Sequence, residues 1–84
     1  MNDSVAIPTE AQWECMKFIN EYINEKDNFP TIGVTASHFG VSNNTVWGHY
    51  QGLARRQLIK KVPDSQCYCR TEHFKRLIAQ GGVA

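Results

Sequence analysis

Residues 30–56 read PTIGVTASHFGVSNNTVWGHYQGLARR, and the architecture turns on where this stretch breaks. Thr31 caps a short segment, IGVTASHF, in which Gly33, Val34 and Thr35 all weaken a helix. Its stability must come from packing through Ile32, Ala36 and Phe39. Gly40 then permits a sharp turn with φ > 0. Ser42 caps the following helix, 43–56, whose inner face is set by Val46, Tyr50 and Leu53 at i, i+4, i+7. Its outward positions are Asn43, Asn44, Thr45, Trp47, Gly48 and Gln51. From Gly40 to Ala54 there are fifteen residues with no Asp, Glu, Lys or Arg. A solvated helix face ordinarily carries Glu and Lys, so this neutral one is either an unusual solvated face or a contact surface. Gly48 and Gly52 each cost about 1 kcal/mol against Ala, which fits close approach of something to the helix and fits plain drift equally well.

Outward from that pair, the pattern is regular. Thr9 caps a first helix with Glu10 in its first turn, and Cys15, Met16, Phe18, Ile19, Tyr22 and Ile23 form its apolar stripe to about Lys26. Glu14, Glu21 and Glu25 keep the other side wet. Asp27, Asn28 and Pro30 make the turn that follows. LIKKV, PDS and QCYCR read as a β-hairpin, with alternation in the strands and turn chemistry between them. Thr71 caps a last helix to about Gln80, striped by Phe74, Leu77 and Ile78 and stopped by Gly81-Gly82. Alone it is too short to persist, so it docks on its own domain or on a partner chain. The expected class is mainly α with a small β-hairpin (α+β): a three-helix core, a two-stranded wing and a short C-terminal helix. The divisions are a flexible tail over 1–8, the domain over 9–70, and a docking or dimerising segment over 71–84.

At 84 residues the chain is one domain that buries about 60–65% of its unfolded surface. No apolar run approaches a membrane span, and MNDSVAIPTE lacks the pattern of a signal peptide. Three cysteines suit reduced thiols and a cytoplasmic setting better than a disulfide scaffold. The net charge of +1 conceals polarity: residues 1–41 carry two Lys and six acids, and residues 42–84 carry seven Lys or Arg and two acids. The asymmetry is either chance scatter over a solvated surface or the mark of a polarised molecule with one face suited to an anion such as a phosphate backbone.

TEAQWECMKFINEYI, FPTIGVTASHFGVS and TVWGHYQGLARRQLIKK together resemble a winged helix-turn-helix DNA-binding domain, and most of all the amino-terminal domain of the LexA repressor. The resemblance covers roughly residues 9–70. It implies a sequence-specific, repressor-like regulator of transcription, of bacterial, phage or plasmid type. Ser42 and Asn44 match the LexA-type recognition positions. Trp47 and Gly48 stand where that repressor has acids, so the site read should differ. Thr35 replaces an aliphatic core residue, and Gly33-Val34 is unusual in the supporting helix. The self-cleaving serine–lysine part of LexA is not implied.

With the helix 43–56 in a major groove, Ser42, Asn43, Asn44, Thr45, Trp47 and Gln51 are the expected base contacts. Asn and Gln pair with adenine N6 and N7, and Thr or Trp meets a thymine methyl. Thr31, Arg55, Arg56, Lys60 and Lys61 are the expected phosphate contacts. So few cations imply a shallow salt dependence and a homodimer on double-stranded DNA, with half-sites about one helical turn apart. Trp47 has three competing roles: packing at the core edge, touching DNA, or touching a protein. Cys67, Cys69 and His73 offer soft metal ligands, but strand alternation instead sends both sulfurs to one face, suited to the core. His38, His49 and His73 are scattered, and no nucleophile motif or phosphate loop is present, so neither an enzyme nor a cofactor is expected. The rival readings are a winged helix used for protein–protein contact, through Trp47 and the last helix, and an accessory factor for replication or excision of a mobile element.

Overall fold

The computed structural model describes residues 8–65 and 67–81, and the tail expected over 1–8 lies outside them except for Pro8. Each helix begins where a hydroxyl can cap it. Thr9 accepts from the Gln12 amide N–H at 3.2 Å, and the Gln12 side chain accepts from Thr9 N–H at 3.0 Å. This reciprocal box opens α1, Glu10–Lys26. Thr31 opens α2, Ile32–Phe39, by accepting from Val34 N–H. Ser42 opens α3, Asn43–Arg55, and Thr71 opens α4, Glu72–Ala79. Thr71 also donates its hydroxyl proton to the carbonyls of Gln57 and Leu58, which anchors α4 to the end of α3.

The turn between α2 and α3 follows the glycine expectation. Gly40 sits at φ +69°, donating to Ser37, while Val41 N–H reaches the Ala36 carbonyl at 3.0 Å. These two bonds close the helix in a Schellman motif, for which a residue without Cβ is best suited. α3 ends in the same way without glycine: Gln57 takes φ +62° and Leu58 N–H bonds to Leu53.

β1, Ile59–Lys61, pairs antiparallel with β2, Tyr68–Arg70, in the register Ile59↔Arg70, Lys60↔Cys69, Lys61↔Tyr68. Each strand is three residues long, shorter than LIKKV and QCYCR suggested. The ladder stops at Lys61 because the chain turns at Pro63 and Asp64, the latter at φ +62°. The described residues therefore form four helices and a two-stranded sheet, an α+β arrangement. No described helix is long and apolar enough to cross a membrane.

Met16 and Ile19 of α1, Val46, Tyr50 and Leu53 of α3, Leu58, Ile59 and Phe74 form the core. Phe74 is fully buried, and Leu77 and Ile78 pack beside it, so α4 docks on its own domain. Burying that ring contributes about 1.5–3 kcal/mol, which an eight-residue helix cannot supply by itself. One inward expectation needs correction. Phe39 remains 36% exposed at the end of α2, where its ring meets Phe18 edge-on. Thr35, at the position where the resemblance has an aliphatic core residue, is completely buried although it is polar.

The burial of Thr35 has a hydrogen-bonding cause. Its hydroxyl lies 2.7 Å from the Tyr50 hydroxyl, which donates to the Pro30 carbonyl at 3.1 Å. The one phenolic proton goes to Pro30, so Thr35 must be the donor to Tyr50. α2, α3 and the turn before α2 are thus joined by one buried chain. Burial pushes the Tyr50 phenol up to about 12, with the Thr35 bond opposing that rise. Among the described residues no buried side-chain nitrogen or oxygen lacks a partner.

Gly52 explains the second unusual helix glycine. It is buried against α1, and a Cβ there would overlap the Gln12 amide. Gln12 is itself buried and held in the capping box, so it cannot simply swing away.

Two stability outcomes follow. Tyr50→Phe should cost about 1–3 kcal/mol, since it strands the Thr35 hydroxyl and the Pro30 carbonyl. Adding Thr35→Val should return part of that loss, and urea unfolding of the cycle measures it. Strict additivity would show that the two hydroxyls do not interact. Gly52→Ala should destabilise by about 1 kcal/mol, against the helix propensity; in a Gln12→Ala background the same change should stabilise by about 1 kcal/mol. A stabilising Gly52→Ala in the native background would contradict the packing described.

Candidate nucleic-acid interface

α3 turns Val46, Tyr50 and Leu53 inward, and its periodicity then fixes what faces out. Asn43, Asn44, Trp47, Gly48 and Arg55 are all exposed. Trp47 keeps 54% of its surface in solvent, so it does not pack at the core edge. Asn43, Asn44 and Trp47 line a shallow open depression with Ile32 of α2. A Cβ at Gly48 would meet nothing within 4 Å. The fold itself gives no reason for glycine there, in contrast to Gly52.

The remaining expected base contacts are more committed. Ser42 accepts from Thr45 N–H at 3.2 Å, and the two hydroxyls lie 3.0 Å apart. Both are exposed, so their outer lone pairs stay accessible while their orientation is set by the cap. Gln51 is half-buried, and its Nε2 donates to the Tyr68 hydroxyl at 3.3 Å. That corrects its placement as a freely outward amide. Tyr68 in turn packs edge-on against Tyr50, with ring centroids 5.6 Å apart. Reading the sequence missed Tyr68; the alternation of QCYCR marks it as strand but cannot reveal its partner on α3.

No acid stands in the first turn of α3, and Arg55 occupies the last. The partial positive charge at the helix start is therefore unopposed by a local carboxylate. Arg55 is exposed, whereas Arg56 is half-buried and its Nη1 reaches back to the Gly52 carbonyl at 3.5 Å. Arg56 is thus turned partly to its own helix. Lys60 and Lys61 are both exposed, but consecutive strand residues face opposite ways. Lys61 shares the sheet face of Ile59, Tyr68 and Arg70, and Lys60 shares that of Cys69. Only Lys61 therefore stands on the α3 side of the sheet. Thr31 is exposed at the start of α2; its oxygen is occupied by Val34 N–H, leaving its hydroxyl proton to donate.

Arg70, on that same face, donates to the Asn20 side chain at 2.8 Å and so ties the hairpin to α1. Cys67 is exposed and Cys69 half-buried, which corrects their placement in the core: the sheet face toward the helices is taken by Ile59, Tyr68 and Arg70. Among the described residues no three His, Cys, Asp or Glu side chains come together as a metal would require. Burial pushes the Cys15 thiol up to about 11, which makes it unreactive at neutral pH.

α3 presents exposed amides, hydroxyls, an indole and a bare stretch of backbone, and Arg55 of α3, Lys61 of β1 and Thr31 before α2 are exposed as well. Such groups can pair with base edges and phosphates. No family model, curated protein or solved structure matches the chain.

Proposed function

We propose that the protein is a winged helix-turn-helix that reads double-stranded DNA sequence with α3 and acts as a repressor-like regulator of transcription. The observation that carries this reading is the exposed, acid-free, hydrogen-bonding face of α3 around Asn44 and Gly48. A major groove accepts one α-helix, and its walls repel carboxylates. Asn43 and Asn44 are the adenine readers, with Trp47 and Thr45 against thymine methyls. Gly48 lets the helix backbone come close to the base edges. Arg55, Lys61 and Thr31 hold the phosphates on either side, and the hairpin serves as the wing. Gln51 contributes by sharing its amide with Tyr68, so it reads a base only through its remaining acceptor and donor. Affinity with so few cations calls for two copies on one duplex.

In-vitro selection of duplexes tests this reading, followed by affinity measurements on the preferred site. Asn44→Ala should weaken binding to that site by about 1–3 kcal/mol while bulk DNA binding is unchanged. Gly48→Ala should separate stability from function: the free protein gains about 1 kcal/mol, because the added methyl meets nothing, while affinity for the selected site falls. Absence of any preferred duplex, or full affinity in both variants, would overturn the assignment.

A further inference from the structure

The acidic half of the chain has its own surface feature. Between α1 and the α2–α3 turn runs an open groove of about 410 Å³ floored by Ala11, Cys15, Phe39, Val41 and Val46. Phe39 and Val41 keep 36% and 41% of their surface exposed. The groove continues into a ladder of rings on the same side. His38 stacks on Phe18 at 4.1 Å, Phe39 meets Phe18 edge-on at 5.7 Å, and Tyr22 follows at 5.8 Å. Single exposed apolar residues are ordinary, but contiguous ones mark a contact surface.

Charge says what kind of partner fits. Glu10, Glu14, Glu21 and Glu25 are all exposed, and their spacing of i, i+4, i+11 and i+15 places them within about 60° of one another around α1. Lys17 is the one cation on this strip, paired with Glu14 at 3.1 Å. The strip runs directly beside Ala11, Phe18 and Tyr22. It repels nucleic acid, and a two-fold contact between copies through this face would set one acidic strip beside the other. A basic partner meets neither objection. From Ala11 to Tyr22 the groove and ladder extend about 16 Å, the length of three helical turns.

We propose that this face docks an amphipathic helix of another protein, with apolar anchors at i, i+3, i+4 and i+7 bordered by lysines or arginines. The apolar anchors enter the groove and cover Phe39 and Val41, while the basic border lies along the α1 carboxylates, in the helix-in-groove manner. On α3, Val46 and His49 point about 100–160° away from Asn44 and Gly48, while Thr45 lies about 40° from His49. The docking face is therefore centred away from Asn44 and Gly48 and borders the DNA face at Thr45, and the inference does not rest on DNA binding.

The test titrates isotopically labelled full-length protein, without DNA and at low salt, with a synthetic peptide of about fifteen residues bearing leucines at those anchor positions and lysines elsewhere. The expected NMR shifts fall on Ala11, Glu14, Phe18, Phe39, Val41 and His49 and spare Asn44 and Trp47. Reversing the surface charges Glu14→Lys and Glu21→Lys should weaken the peptide about tenfold without unfolding the protein, and Val41→Ser should weaken it independently of charge. A peptide with glutamates in place of the lysines should not bind. Shifts spread over the molecule, or affinity indifferent to the Glu reversals, would overturn the proposal. So would coverage of Phe39 and Val41 in the free protein by residues 1–7 or by a second copy.

Discussion

Tyr50 has one phenolic proton, and the placement of α3 rests on where that proton goes. It is donated to the Pro30 carbonyl, and the oxygen that gives it up receives the Thr35 hydroxyl in return. Each group is buried, so each would lose stability if turned elsewhere. Rotation of α3 about its axis would break both bonds at once. The inner face of α3 is consequently fixed, and with it the outward set of Asn43, Asn44, Trp47 and Gly48. Phe29 and Tyr68 pack edge-on or tilted against the same ring cluster and carry this constraint into the hairpin.

Two glycines of α3 divide the work of the helix. Gly52 admits the capped start of α1, where Gln12 occupies the space a methyl would need. Gly48 faces solvent, where a Cβ would meet nothing and the fold asks for no glycine. The charges divide likewise. Along the chain, α1 carries half of the carboxylates and the later elements carry most of the cations. The proposed DNA face and the proposed protein face follow from this same polarity.

Local features were legible in the sequence. Thr9, Thr31, Ser42 and Thr71 announce the helix starts by hydroxyl chemistry, and Gly40 announces its left-handed turn, because all of these act within four residues. The neutral face of α3 was legible too, since helical periodicity assigns it without reference to neighbours. What escaped depends on distant partners. Thr35 looks misplaced until Tyr50, fifteen residues on, is seen to receive its proton. Gln51 looks outward until Tyr68 closes on it from the hairpin. The division of Lys60 from Lys61, and the exposure of Cys67, depend on which face of a two-stranded ribbon meets the helices, and alternation alone leaves that choice open.

The most direct observation of the proposed contact is the side-chain amide of Asn44 and the indole N–H of Trp47, followed by heteronuclear NMR as a selected duplex is added. Both signals should shift and the Asn44 amide protons should become protected from solvent exchange, while core signals such as those of Leu53 and Phe74 hold their positions. Unchanged Asn44 and Trp47 signals in a saturated complex would show that DNA binds elsewhere, and the account of α3 as the reading helix would be wrong.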